Sequence, residues 1–91
     1  MKVTSRAASA ILELVRSRSL APTMTWERLP SGGQWILGFH SAERLSDQQL
    51  ACELMDVAGI SFVIDGPASK RSDLESAQID FIDGHFVVRR A

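Results

Sequence analysis

Gln78-Ile79-Asp80-Phe81-Ile82-Asp83-Gly84-His85-Phe86-Val87-Val88-Arg89 is the stretch that decides the fold class of this chain. Residues 78–82 alternate polar and apolar side chains, the period of a half-buried strand. Asp83-Gly84 suits the two-residue primed turns, whose central residues take positive φ, a conformation glycine adopts without steric cost. His85 to Arg89 then returns as an aromatic and β-branched strand. The stretch predicts an antiparallel hairpin with Gly84 at positive φ.

Working back from it, Ile60-Ser61-Phe62-Val63-Ile64-Asp65 is a strand ended by Gly66-Pro67, and Ser69 to Leu74 reads as a short helical turn. Residues 46–57 support two readings. Ser46-Asp47-Gln48-Gln49 looks like a helix cap and Leu50, Leu54 and Val57 have helical spacing, whereas Ala58-Gly59 before a clear strand would close a hairpin. Met24 to Leu29 alternates, Pro30-Ser31-Gly32-Gly33 supplies turn chemistry, and Gln34 to His40 is aromatic and β-branched, a second hairpin. Trp35, Leu37 and Phe39 fall on one face of it, Ile36 and Gly38 on the other.

At the start, Val3, Ala7, Ile11 and Val15 recur every fourth residue with Ala8, Leu12 and Leu14 beside them, so residues 4–18 form an amphipathic helix. Thr4 or Ser5 caps it, Arg16 and Arg18 favour the negative end of its dipole, and Pro22 forbids continuation. The predicted class is α+β, a mixed and mostly antiparallel β-sandwich or flattened barrel with this one N-terminal helix over one side. All 91 residues form one domain, since no composition shift divides the chain.

Ten basic residues stand against eleven acidic ones, and no block of like charge exceeds Lys70-Arg71 or Arg89-Arg90. Nothing steers such a chain toward nucleic acid, and Arg89-Arg90 reads as a solvated charge pair rather than a phosphate or acidic-partner contact. Its apolar runs are too short for a membrane helix, and Met1-Lys2-Val3 leads straight into the amphipathic segment without the pattern of a secretory signal. Cys52 is the only cysteine, which excludes an internal disulfide and fits a cytoplasmic location.

Gly59-Ile60-Ser61-Phe62-Val63-Ile64-Asp65, then Ser69, Leu74, Ile79-Asp80-Phe81-Ile82-Asp83 and Phe86-Val87-Val88, resembles the second half of the HesB/IscA, or A-type, iron–sulfur cluster assembly proteins. Lys2-Val3-Thr4 followed by Ala7-Ala8 and Ile11 is similar to that family's first strand and helix. The resemblance implies a HesB-like fold over nearly the whole chain, and a strand over residues 51–57 with a helical turn or loop at 46–50. The family's ligands are one cysteine in a Gly-Gly-Cys-Ser-Gly element and two in a Cys-Gly-Cys tail after the last strand. Here Gly32-Gly33 is kept, Gln34 stands at the first cysteine position with Trp35 and Ile36 after it, and no Cys-Gly-Cys follows within the sequence. A neutral amide is a poor ligand where a thiolate would bind iron or bridge to a cluster.

Candidate site residues are few. Cys52 reads as a small buried hydrophobe or a metal-binding thiol, and His40 and His85 as surface histidines or weak ligands, since no metal-binding spacing links them. Asp65, Asp80 and Asp83 lie at strand ends and could suggest paired carboxylates for acid–base work, but Asp65 before Gly66-Pro67 and Asp83 before Gly84 read as turn residues that bond nearby backbone. Ser31 and Ser41 have no neighbouring base, and Gly32-Gly33 lacks the helix and lysine of a phosphate loop. Trp26 and Trp35 belong to the core or to a partner-binding surface. No catalytic or cofactor-binding residue is assigned.

The expected function is therefore a non-enzymatic HesB/IscA-like binding or adaptor domain. It has no cofactor and no nucleic-acid or membrane partner, while protein partners and a homodimer stay open. The alternative is a true iron or iron–sulfur protein using Cys52, His40 and His85 at a dimer interface.

Overall fold

The computed structural model describes residues 1–41 and 53–90. In chain order the elements are β1 (Lys2–Val3), α1 (Ser5–Arg18), β2 (Leu20–Leu29), β3 (Gly32–Ser41), β4 (Glu53–Val57), β5 (Ile60–Asp65), a 3-10 turn (Ala68–Lys70), α2 (Arg71–Glu75), β6 (Ala77–Ile82) and β7 (His85–Arg90). The fold is α+β, with two mixed sheets ordered β1-β6-β7 and β3-β2-β5-β4.

Each hairpin expected from turn chemistry is present, and two of them have the same cause. Asp83 and Gly84 take φ of 51° and 79° between β6 and β7, and Ala58 and Gly59 take 53° and 76° between β4 and β5. Two consecutive positive φ values match the twist of the flanking strands. The ambiguous segment is thus a strand over Glu53–Val57. Residues 42–52, which hold Cys52 and the turn expected at 46–50, lie outside the described residues, as does residue 91.

Helix α1 begins as its sequence requires. Thr4 is the N-cap, in extended conformation with its hydroxyl accepting the Ala7 amide, and Arg16 and Arg18 lie in the last turn. The helix ends at Arg18, as expected, with Ser19 left-handed at φ 52°, and Pro22 lies inside β2. A proline has no N–H to give a ladder, and β2 meets its second neighbour β5 only from Thr23 to Thr25, so Pro22 precedes the doubly paired stretch. The sheets also hold parallel pairs, β1 with β6 and β2 with β5, which no local signal encodes.

Both sheets, α1 and α2 contribute to one core. Ala7 and Ile11 come from α1, Met24 from β2, Trp35 from β3, Ile60, Phe62 and Ile64 from β5, Leu74 from α2 and Ile79 from β6. Trp35, Leu37 and Phe39 share the inward face of β3 as the period of two predicts, while Ile36 on the other face is 38% exposed.

Candidate functional site

Trp26 and Trp35 are direct partners across the β2–β3 ladder, on the inward face, and meet edge to face with ring centres 5.6 Å apart. Two glycines make room for them. A Cβ on Gly33 would lie 2.7 Å from Cε2 of Trp26, and one on Gly66 would lie 2.5 Å from Cη2 of Trp35, closer than carbon atoms approach. The Trp35 indole N–H donates to the Lys70 carbonyl oxygen at 3.0 Å, and the Lys70 ammonium stands 5.3 Å from the centre of the Trp26 ring.

This pair forms one wall of a small cavity of about 120 Å³. Gly33 and Gln34 at the start of β3 line it on one side, and Ala77, Val88, Arg89 and Arg90 on the other, with Asp73 of α2 beside them. Arg90 Nη2 donates to Asp73 Oδ1 at 2.9 Å, in a pair whose side chains are 79% and 33% exposed. Among the described residues the charged and amide-bearing lining residues are Gln34, Asp73, Arg89 and Arg90, with the Arg89 guanidinium directed to Asp80. Such a set recognises by hydrogen bonds and charge; it contains no nucleophile and no imidazole.

A second charged cluster lies where α1 begins. The Asp80 side chain is 6% exposed, and its carboxylate accepts the Thr4 hydroxyl at 2.7 Å, Arg6 Nε at 2.6 Å, Arg6 Nη2 at 2.7 Å and the Phe81 amide at 2.8 Å. Arg89 Nη2 adds a longer contact of 3.2 Å to Oδ2. The fork of Arg6, followed by the Thr4 hydroxyl and the Phe81 amide, outweighs burial and holds this carboxyl well below the usual carboxylate range. The same hydrogen bond raises Arg6 above its ordinary value. Together with Thr4 N–H donating to the Ile79 carbonyl oxygen at 3.0 Å, the cluster ties the helix start to β6.

Asp80 therefore corrects the reading of it as a strand-end carboxylate: it lies inside β6, and its partners come from α1 and β7 as well as from the adjacent backbone. Asp65 does end β5, and Asp83 does sit in the β6–β7 turn. His40 and His85 lie exposed near the end of β3 and at the start of β7. Phe39 and Phe86, one residue along, have ring centres 5.3 Å apart, so those strand ends adjoin. Among the described residues no three histidine, cysteine, aspartate or glutamate side chains are grouped to hold a metal ion. Also among them, no helix is long and apolar enough to cross a membrane. The cavity was not visible in the sequence because its two sides come from opposite ends of the chain. Its one local sign is Gly33 on the strand next to Trp26.

No protein-family model matches the chain, and no curated protein matches it. Among solved structures, the solution NMR structure of a structural-genomics target protein from Aquifex aeolicus is similar over 100% of this chain and 91% of its own, with a TM-score of 0.59 at 22% identity. That likeness shows a shared fold and is silent on activity.

Proposed function

We propose that this chain is a HesB/IscA-like domain whose ligand site has become a protein-binding cleft, a non-enzymatic adaptor attached to iron–sulfur metabolism through its partners. The observation that carries the reading is one coincidence of position. Gln34, at the place of the family's first cysteine, and the end of β7, after which the family's Cys-Gly-Cys tail would follow, line the same cavity. That cavity is lined by Gln34, at the place of the first thiolate, and by Arg89 and Arg90 beside the place of the tail. Guanidinium groups repel iron, and an amide binds it poorly. The indole walls and the basic rim suit a partner's side chain instead.

Anaerobic reconstitution with iron and sulfide, counted per chain and followed by visible absorption, tests this. The expected product is colourless and holds no stoichiometric cluster. One thiol per chain leaves even a symmetric dimer with two thiolates, half of what the usual clusters take. A stable cluster at one per dimer, lost in Cys52→Ser, would overturn the reading and establish instead an iron–sulfur protein built from Cys52 and histidines across a dimer.

A further inference from the structure

We infer that the cavity between Trp26, Trp35 and Arg90 is an anchor site for an acidic side chain of a protein partner, with Asp73 occupying the place of that carboxylate until the partner arrives. The inference rests on the adaptor reading and names the chemistry of the partner.

Three observations carry it. The first is charge at the rim: Arg90, 79% exposed, lines the cavity and reaches no carboxylate but Asp73 among the described residues, while Arg89 lines it too with its guanidinium held by Asp80. Lys70, 5.3 Å from the centre of the Trp26 ring, adds a second cation. Against these the cavity's own lining supplies one carboxylate, Asp73. The second is exchangeability. Asp73 shows that a carboxylate reaches Arg90 in good geometry, at 2.9 Å, but an ion pair so exposed contributes little to the fold and can be replaced by an incoming carboxylate at small cost. The third is size and shape. At about 120 Å³ the cavity is well below the roughly 300–1,000 Å³ of small-molecule sites, so it takes one side chain rather than a cofactor. An acidic side chain has the matching form, with methylenes for the indole wall and oxygens for the guanidinium fork.

The same observations decide against single-stranded nucleic acid, which needs aromatic faces open for stacking. Here Gly33 lies against the Trp26 ring, Lys70 stands over it, and Trp35 is 5% exposed. The indoles act as packed walls.

The test titrates hexaglutamate peptide into the intact chain at low ionic strength, with tryptophan emission as readout, and repeats the titration with hexaglutamine, with an oligothymidylate, and with the variants Arg90→Ala and Asp73→Asn. Saturable binding of hexaglutamate alone is expected. Arg90→Ala should weaken it roughly five- to tenfold through loss of an exposed charge-assisted hydrogen bond. Asp73→Asn should tighten it roughly two- to fivefold, because the internal competitor and its negative charge are gone. The opposite signs are decisive, since a purely structural α2–β7 tie would make both variants change binding in one direction or in neither. Absence of saturable binding, or variants that move together, overturns the inference. So does oligothymidylate binding tighter than hexaglutamate, which would assign the site to nucleic acid. A cluster formed on reconstitution defeats the adaptor reading whatever the peptide does, while a cluster-free chain that ignores hexaglutamate defeats only this inference.

Discussion

The junction around Asp80 and the cleft around Arg90 both set arginine against aspartate, and they differ in what encloses the pair. At the junction the Asp80 side chain is 6% exposed, and donors from Thr4, α1, β6 and β7 converge on its carboxylate. At the cleft Asp73 makes one hydrogen bond to an arginine that is mostly in water. A buried carboxylate stripped of its donors is left uncompensated, whereas an exposed pair that opens is rehydrated. The same two residue types therefore fasten a helix in one place and leave a guanidinium free to change partner in the other.

Asp80→Asn should break the junction and give the largest loss of stability among single substitutions in these two regions, read as the fall in thermal midpoint at neutral pH. Acid sharpens the point. Because the Asp80 carboxyl is held below its ordinary range, its stabilisation is complete above the unfolded value of about 3.9 and is lost as pH falls from there toward the folded value. The acid-side decline of the midpoint should thus be steeper in the wild-type chain than in Asp80→Asn. Equal acid profiles would mean that the carboxylate does not fasten the helix.

Gly33→Val acts on the cleft wall. Its side chain would meet the Trp26 ring and the Glu27 carbonyl oxygen, so β3 or the indole must shift. Overpacking of this kind costs about 1–3 kcal/mol, measurable by denaturant unfolding, with a change in the near-ultraviolet signal of the tryptophans. Retained stability with an unchanged signal would mean that the tryptophan pair is looser than its geometry implies.

Gly84→Val lies in neither region and should cost the least, though at least ~1 kcal/mol, because a β-branched residue must take φ of 79°. An unchanged unfolding midpoint would refute the turn.

How much of this could be read in advance depended on how local the cause was. Asp83-Gly84 and the Thr4 cap act within a few residues, and the hairpin and helix that they produce were legible, whereas Ala58-Gly59 offered a hairpin that the helical spacing of Leu50, Leu54 and Val57 left in competition. The parallel pairs were not legible, because Val3 meets Ile79 and Met24 meets Ile64 through packing that no dipeptide encodes. Pro22 correctly marked that the helix could not continue, but its own place inside β2 was not legible, because that depends on where β5 begins to pair. Gly33 and Gly66 carried a true signal that local chemistry explained too early. As turn residues they needed no further account, and the indoles they accommodate became apparent only with Trp26 and Trp35 in place. Asp80, an acidic residue between Ile79 and Phe81 in mid-strand, was the clearest overlooked sign that a cation had to come from elsewhere. The site followed the same rule, since Gln34 was legible as a missing ligand but its meeting with Arg89 and Arg90 was not.

The contrast between a closed junction and an open cleft is tested most directly by amide and indole N–H chemical shifts of the isotope-labelled chain, recorded with and without hexaglutamate. The account predicts shifts confined to Gly33, Gln34, Asp73, Arg89, Arg90 and the two indole N–H groups, with Thr4, Arg6 and Phe81 unmoved. Shifts centred on Thr4, Arg6 and Phe81, or spread over the surface with the indoles unchanged, would contradict it.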